Sequence, residues 1–310
     1  MIVSIVTGGC GFVGNYICKA LIKSGHYVIC IDNLSSGNLD NIREIENHQN
    51  FQMIRHDVID PLTIDKNVDY IYHLACPASP DKYQEDSLHT LQTSIYGTEN
   101  MLKLAKEKNA KLLFTSTSEI YGNPLISPQN ENYWGNVNPI GKRSCYDEGK
   151  RCAETIIMEY HKKYEIPICI VRLFNTYGPL LNKNDGRVIS NFICQALENK
   201  NLTVYGDGSQ TRSFCYVEDT VSAILLLMEE NEIGPFNIGN PNEMTINQIA
   251  SLIKEFTGSD SKIHYLSLPE DDPEQRRPCI EKIKRFWQPT TDIKEGLLKT
   301  IDYFKHQQKL

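Results

Sequence analysis

Tyr146 and Lys150 stand four residues apart in "CYDEGKRCAE", a segment of helical character, so their side chains share one helix face. A phenol beside an ammonium group can move a proton to or from an alcohol, because a nearby positive charge favours phenolate and lowers the Tyr146 pKa. A solvated helix face is the plain alternative for such a pair in isolation. A second cluster, "TSTSEIYG" from Thr115 to Gly122, closes the apolar run "KLLF" with hydroxyls and one carboxylate. Strands inside parallel sheets favour apolar side chains, so a polar strand end is expected to face a cleft. There Thr117 can hydrogen-bond the same hydroxyl as Tyr146, Ser118 adds another hydroxyl, and Glu119 is the lone acid.

The third chemical element is "TGGCGFVG", which follows the first apolar run and opens a helix. It holds G-x-G-x-x-G as Gly9, Gly11 and Gly14 and G-x-x-G-x-x-G as Gly8, Gly11 and Gly14. Glycines there permit a tight turn and let the backbone approach a pyrophosphate, which the helix N-terminus attracts. Asp32 ends the next apolar run 18 residues after Gly14, where a carboxylate accepts hydrogen bonds from an adenosine ribose. A 2′-phosphate would meet that charge, so NAD is expected rather than NADP. "HDV" (His56–Val58) and "HLA" (His73–Ala75) should line the same cleft. Asp57 could equally cap a turn, and His73 reads as a packed strand-end residue rather than a catalyst. The expected cofactor set is Gly8, Gly11, Phe12, Val13, Gly14, Asp32, Asn33, Asp57, Val58, Leu74 and Thr93, together with Tyr146 and Lys150.

Positioning these groups requires alternating strands and helices. Strand character marks Ile2–Thr7, Tyr27–Asp32, Phe51–Asp57, Tyr70–Ala75, Lys111–Thr117 and Ile168–Phe174, with helical segments between most of them. Such βαβ units imply a parallel sheet with ligands at the strands' carboxyl ends. After about Asn175 the pattern becomes irregular. It passes through a helix-like run Gly186–Asn199, a short strand "LTVYG", a strand leading into a helix in "SFCYVEDTVSAILLLMEE", and a capped helix in "MTINQIASLIKEFTG" that closes at Gly258. The expected fold is α/β: a Rossmann-type doubly wound parallel sheet with a smaller C-terminal α/β substrate-binding domain. The cofactor domain should span residues 1–175, completed by about 213–240, and residues 176–310 should mainly hold substrate.

Composition narrows the classes. The 310 residues carry a formal net charge of −7, against sequence-independent nucleic-acid binding, and contain no stretch near the roughly 20 apolar residues a membrane span needs. The start "MIVSIVTGG" lacks the basic flank and cleavage site of a signal peptide, so a cytoplasmic protein is expected. Ten cysteines include no C-x-x-C pair, and most sit in apolar runs, so free buried thiols are expected. The eight histidines lack metal-ligand spacing, and no metal is expected.

With these motifs together, the chain resembles the extended short-chain dehydrogenase/reductases, the group of nucleotide-sugar epimerases, dehydratases and decarboxylases. "STSEIYGNP", "YWGNVNPIGKRSCYDEGKR", "FNTYGP", "NDGRVISNFI", "LTVYGDGSQTRSF" and "DDPEQRRP" are most similar to its UDP-glucuronate decarboxylase branch. The 4,6-dehydratases of the group carry Asp-Glu where this chain has Ser118-Glu119, and the Asp there protonates a departing hydroxyl. An aliphatic alcohol is too weak an acid for that near neutrality, but departing carbon dioxide needs no proton.

The resemblance implies UDP-glucuronate as substrate and a redox-neutral cycle: C4 oxidation, loss of C6 as carbon dioxide, and C4 re-reduction to UDP-xylose. It implies that Glu119 assists decarboxylation or C5 protonation, unless it merely orients Thr117. It makes Arg276, rather than Arg277, the active-site arginine, and Arg212 and Arg276 can offer bidentate donors to the diphosphate or carboxylate. Asn175, Arg187, Tyr205 and Gln210 fall in its nucleotide-sugar segments, and Tyr83 in "ASPDKY" on its sugar-side loop. It further implies a homodimer, pairing helices near Leu88–Lys108 and Asp147–Tyr164 in a four-helix bundle. The rival readings are a decarboxylase that stops at UDP-4-keto-pentose, a 4-epimerase or 4,6-dehydratase, and a non-catalytic NAD sensor.

Overall fold

The structure is a computed structural model, which describes residues 1–183, 185–268 and 275–307. Strands β1 (Val3–Thr7), β2 (Tyr27–Asp32), β3 (Phe51–Arg55), β4 (Tyr70–His73), β5 (Lys111–Thr117) and β6 (Ile168–Leu173) alternate with helices α1 (Phe12–Lys23), α2 (Pro80–Glu85), α3 (Ser87–Gln92), α4 (Thr98–Lys108) and α5 (Ser144–Tyr164). Then come strands β7 (Thr176–Tyr177), β8 (Leu202–Tyr205), β9 (Thr211–Ser213), β10 (Cys215–Tyr216), β11 (Phe236–Ile238), β12 (Glu243–Thr245), β13 (Ile263–Leu266) and β14 (Gln275–Arg276). Helices α6 (Val188–Leu197), α7 (Val217–Glu229), α8 (Ile246–Thr257) and α9 (Ile293–Gln307) are interspersed among them.

The main sheet has the order β11-β6-β5-β4-β1-β2-β3, all parallel. Period-2 alternation explains why its strands are apolar throughout. Ile5, Ile29 and Leu112 enter the core on one face with Leu102 and Ile157, while Val6, Val28 and Leu113 enter the core on the other with Ile17 and Leu21. The strand order reverses between β1 and β4, which pair with Thr7 opposite His73. The crevice beyond that point is where such sheets bind ligands.

Three expected strands end early, β6 by the single residue Phe174. β3 stops at Arg55 because Asp57 turns the chain, accepting from the Ile59 N–H at 3.1 Å, and β4 stops at His73. The expected helix across Leu88–Lys108 is α3 and α4 joined by a π-helical turn, Thr93–Gly97. At Gly97 a Cβ would lie 2.7 Å from Val58 Cγ2, so glycine lets this turn approach the cleft wall.

Beyond β6 the strands form small sheets. β9 lies between β12 and β14, and its parallel register with β14 sets Arg212 opposite Arg276. Thr245 and Gln248 cap α8 reciprocally, and Gly258 ends it in the left-handed conformation at φ +66°. α7 packs beside α1, and β11 extends the main sheet next to β6. Among the described residues no helix is long and apolar enough to cross a membrane.

Candidate active site

A cleft of about 950 Å³ runs along the carboxyl ends of the main sheet and under the small sheets, and the expected catalytic, cofactor and substrate residues line it, whereas Gly9 and His73 do not. At its floor the glycine turn is shaped for a close approach. Gly8 sits at φ +70°, and a Cβ on Gly14 would lie 2.1 Å from the Gly8 carbonyl oxygen. Helix α1 starts after Gly11 with no side-chain cap and no acidic residue in its first turn, so its positive end meets the cleft unneutralised. Asp32 is buried beside the turn and accepts from the backbone N–H groups of Cys10 (3.0 Å) and Leu34 (2.8 Å). Burial nevertheless pushes its carboxyl up from the ordinary value. The bare turn, the open helix end and the strand-end carboxylate fit a dinucleotide's pyrophosphate and ribose.

Asp57 does cap a turn, and its other oxygen joins the cleft wall. Oδ2 accepts from Asn33 Nδ2 at 2.7 Å and contacts His89 Nε2 at 2.8 Å. Leu74 donates its N–H to the Thr7 hydroxyl at 3.1 Å, and Thr93 donates to the His89 carbonyl at 2.8 Å. Phe12, Val13 and Val58 supply apolar walls. His73 is packed rather than reactive. It lies between Thr7 Oγ1 (2.7 Å) and Thr98 Oγ1 (3.3 Å), and burial pushes its pKa down to about 3.

Tyr146 and Lys150 project from α5 beneath the end of β5. Thr117 is near enough to the Tyr146 phenol to favour its ionisation against burial, and Lys150 Nζ donates to the Thr115 carbonyl at 2.9 Å. The expectation that Lys150 lowers the Tyr146 pKa does not hold for the chain by itself. Burial raises the phenol well above its ordinary value, while the Lys150 ammonium, itself pushed down by burial, sits 5.9 Å from the ring centroid on its backbone anchor. Desolvation outweighs a charge held at that distance.

Glu119 occupies the far side. Its N–H donates to Thr117 Oγ1 at 3.2 Å, so its backbone helps orient that hydroxyl. Its carboxylate is held by two guanidinium groups: Arg143 Nη2 donates to Oε2 and Arg276 Nη1 to Oε1. Arg276 also donates to the Gly122 carbonyl at 3.3 Å, and its Nε is buried without a hydrogen-bond partner. Ser118 is buried next to them. Arg212 donates to the Thr211 carbonyl, and Gln210 Nε2 to the Tyr205 carbonyl at 2.6 Å. Arg187 pairs with Asp185 at 2.8 Å and donates to the Ala78 carbonyl at 3.3 Å, which ties two loops across the cleft. The Asn175 carbonyl accepts from the Cys215 N–H at 2.8 Å. Tyr83 is buried in α2, with its ring stacked on Tyr146.

Sequence reasoning missed several of these groups. Arg143 lies three residues before Tyr146, a helical spacing that could have flagged it. Glu154, one turn beyond Lys150, accepts from Ser116 at 2.6 Å and pairs with Arg172 at 2.7 Å, bracing β5 against α5 and β6. Four residues of "DDPEQRRP" and Asn184 lie outside the described residues, whereas Arg276 and Arg187 lie within them. The described residues hold no His/Cys/Asp/Glu cluster able to bind a metal.

Residues 4–239 match the family model described as the NAD dependent epimerase/dehydratase family. The chain belongs to that family. It is similar along almost its whole length to family members of known activity. UDP-glucuronic acid decarboxylase 1 of Xenopus tropicalis is 50% identical over 98% of this chain and 72% of its own length. UDP-glucuronic acid decarboxylase 6 of Arabidopsis thaliana is 51% identical over 94% of this chain and 86% of its own. Among solved structures, UDP-glucuronic acid 4-epimerase from Bacillus cereus, in complex with UDP-glucuronic acid and NAD, superposes with a TM-score of 0.88 at 29% identity, covering 99% of this chain and 100% of that one. The Rossmann-type architecture, the NAD dependence and the decarboxylase resemblance read from the sequence accord with these likenesses.

Proposed function

We propose that this member of the epimerase/dehydratase family is an NAD-dependent enzyme that converts UDP-glucuronate to UDP-xylose and carbon dioxide. The observation that carries the reading is the lone Glu119 carboxylate between two arginines, beside a serine that cannot protonate a departing hydroxyl. About 50% identity to UDP-glucuronic acid decarboxylases supports it.

The glycine turn, Asp32 and the Asp57–Asn33 pair would hold NAD, with Tyr146 and Lys150 at its reactive end. When bound, NAD supplies a reversible hydride acceptor for C4 of the sugar. Tyr146 takes the O4 proton, Thr117 shares that hydroxyl, and Lys150 adds positive charge close to the phenol. A C4 ketone sets the C6 carboxylate β to a carbonyl. The electrons of the C5–C6 bond then pass into an enolate as carbon dioxide leaves, C5 takes a proton, and return of the hydride to C4 with a proton from Tyr146 to O4 would give UDP-xylose. Arg276 and Arg212 would engage the substrate's anionic groups, with Arg187, Asn175, Tyr205, Gln210 and Tyr83 shaping the rest of the subsite. In this reading residues 1–175, completed by 213–240, serve the cofactor and residues 176–310 mainly the nucleotide sugar.

We further propose a homodimer pairing the helices of residues 87–108 and 144–164 in a four-helix bundle. Leu88 and Tyr96 are exposed there, although Leu102 and Ile157 are already buried against the sheet. A monomer mass at micromolar concentration would rule the dimer out. We also place the protein in the cytoplasm, a reading that ten cysteines present as free thiols support.

The deciding experiment incubates the protein with UDP-glucuronate and NAD while products are followed by proton NMR and the NADH absorbance band. UDP-xylose without stoichiometric NADH establishes the full cycle. UDP-4-keto-pentose with matching NADH points to an enzyme that stops at the ketone, and the absence of carbon dioxide sinks the assignment.

A further inference from the structure

We propose that Arg143 is a positioning residue that keeps Glu119 in place when the substrate's carboxylate takes over Arg276. The inference rests on the decarboxylase reading and adds to it a residue and a basis for selectivity. The two guanidinium groups bind different oxygens of one carboxylate, Arg276 on Oε1 and Arg143 on Oε2, so one bond can open while the other holds.

Arg276 suits exchange. It is 4% exposed, fixed by the β9–β14 register and by a hydrogen bond from Ser213 to its carbonyl, and its buried Nε has no partner. An arriving carboxylate therefore finds a rigid guanidinium with unused donor capacity, and Glu119 occupies the position that a sugar carboxylate could take. Arg143 suits retention. Its carbonyl accepts from the N–H groups of Tyr146 and Asp147, each at 3.0 Å, so its backbone is joined to the first turn of the helix that bears the phenol.

Charge balance gives the physical reason. Glu119 and a second carboxylate on Arg276 alone would leave a net negative charge in a buried site, which is strongly unfavourable. With Arg143 present, two carboxylates face two guanidinium groups. A sugar with a neutral hydroxymethyl group at C6 cannot draw Arg276 away from Glu119, so the exchange also selects for uronic substrates.

The test compares the NAD-loaded enzyme with R143Q, R143K, E119Q and E119Q/R143Q. The readouts are carbon dioxide release from UDP-glucuronate, calorimetric affinity for UDP, and melting temperature. For R143Q we expect kcat to fall roughly 10- to 100-fold, as for loss of one charge-assisted hydrogen bond to a buried carboxylate, with UDP affinity and melting temperature unchanged. R143K, which keeps the charge but loses the fork, should recover part of that loss. The double variant should be no slower than the slower single one, because Arg143 acts through Glu119. Parental kcat in R143Q, or multiplicative losses in the double variant, would overturn the proposal. Should R143Q not fold, parental kcat in R143K would do the same. If the unsubstituted enzyme releases no carbon dioxide, the decarboxylase reading fails together with this proposal; if it does and R143Q is unimpaired, only the proposal fails.

Discussion

The Tyr83 ring lies flat on that of Tyr146, with centroids 5.1 Å apart and planes 6° from parallel. Tyr83 comes from a short helix after the loop "CPASP", and Tyr146 from α5, so this stack joins the cleft's loop side to its proton-transfer group.

Removing that ring should misplace the phenol. Tyr83→Ala is expected to lower kcat by about tenfold or more and to destabilise the fold by roughly 3–5 kcal/mol, the usual cost of deleting a buried aromatic ring. Tyr83→Phe keeps the stack and should retain most of the activity. Steady-state kinetics and thermal melts of both variants check this; equal losses would shift the role from the ring to the hydroxyl.

At the cofactor end, Gly14→Ala puts a methyl 2.1 Å from the Gly8 carbonyl oxygen, which neither backbone can accommodate unmoved. NAD affinity measured calorimetrically should fall at least about 100-fold, because the turn must open and the helix end retreat from the pyrophosphate. Undiminished affinity would mean that the pyrophosphate does not rest on this turn.

Acid stability should depend on His73. Burial takes its pKa from 6.5 to about 3 in the fold, so between those values the unfolded chain binds a proton that the folded chain refuses. Stability is therefore full above about pH 6.5 and declines as pH falls towards 3, by at most about 1.4 kcal/mol per pH unit from this group. Denaturant melts at pH 7 and 5 should show a smaller difference for His73→Asn than for the parent. An unchanged difference would assign the acid sensitivity to other groups.

Glu119→Gln should separate the chemical steps. Thr117, Tyr146 and Lys150 remain, so C4 oxidation is expected to continue and the NADH band to grow, while carbon dioxide release slows by roughly 10²–10⁴-fold. Prompt carbon dioxide release with slow solvent-deuterium uptake at C5 would instead place Glu119 at the protonation step.

Several features were legible in sequence because they are local. The glycine turn, Asp32 and the Tyr146–Lys150 pair depend on spacing within one βα unit or one helix turn, and β2 and β5 begin and end where the apolar runs do. The capping box and Gly258 likewise set the bounds of α8. Strand ends at Arg55 and His73 were less legible, since a turn capped by Asp57 looks like continued strand in a string of residues.

The parallel α/β plan, the dinucleotide turn and the chemical types at the site are all written in short stretches of chain, because hydrophobic period, glycine placement and strand-end polarity act over short distances. Which charges meet depends on how distant segments pack. Glu119 reaches Arg276 across 157 positions of chain and shares its carboxylate with Arg143, and Arg276 faces Arg212 through strand register. Packing also decides that burial, rather than Lys150, governs the Tyr146 phenol in the chain alone, since desolvation depends on everything packed around a group and not on its neighbour four residues away.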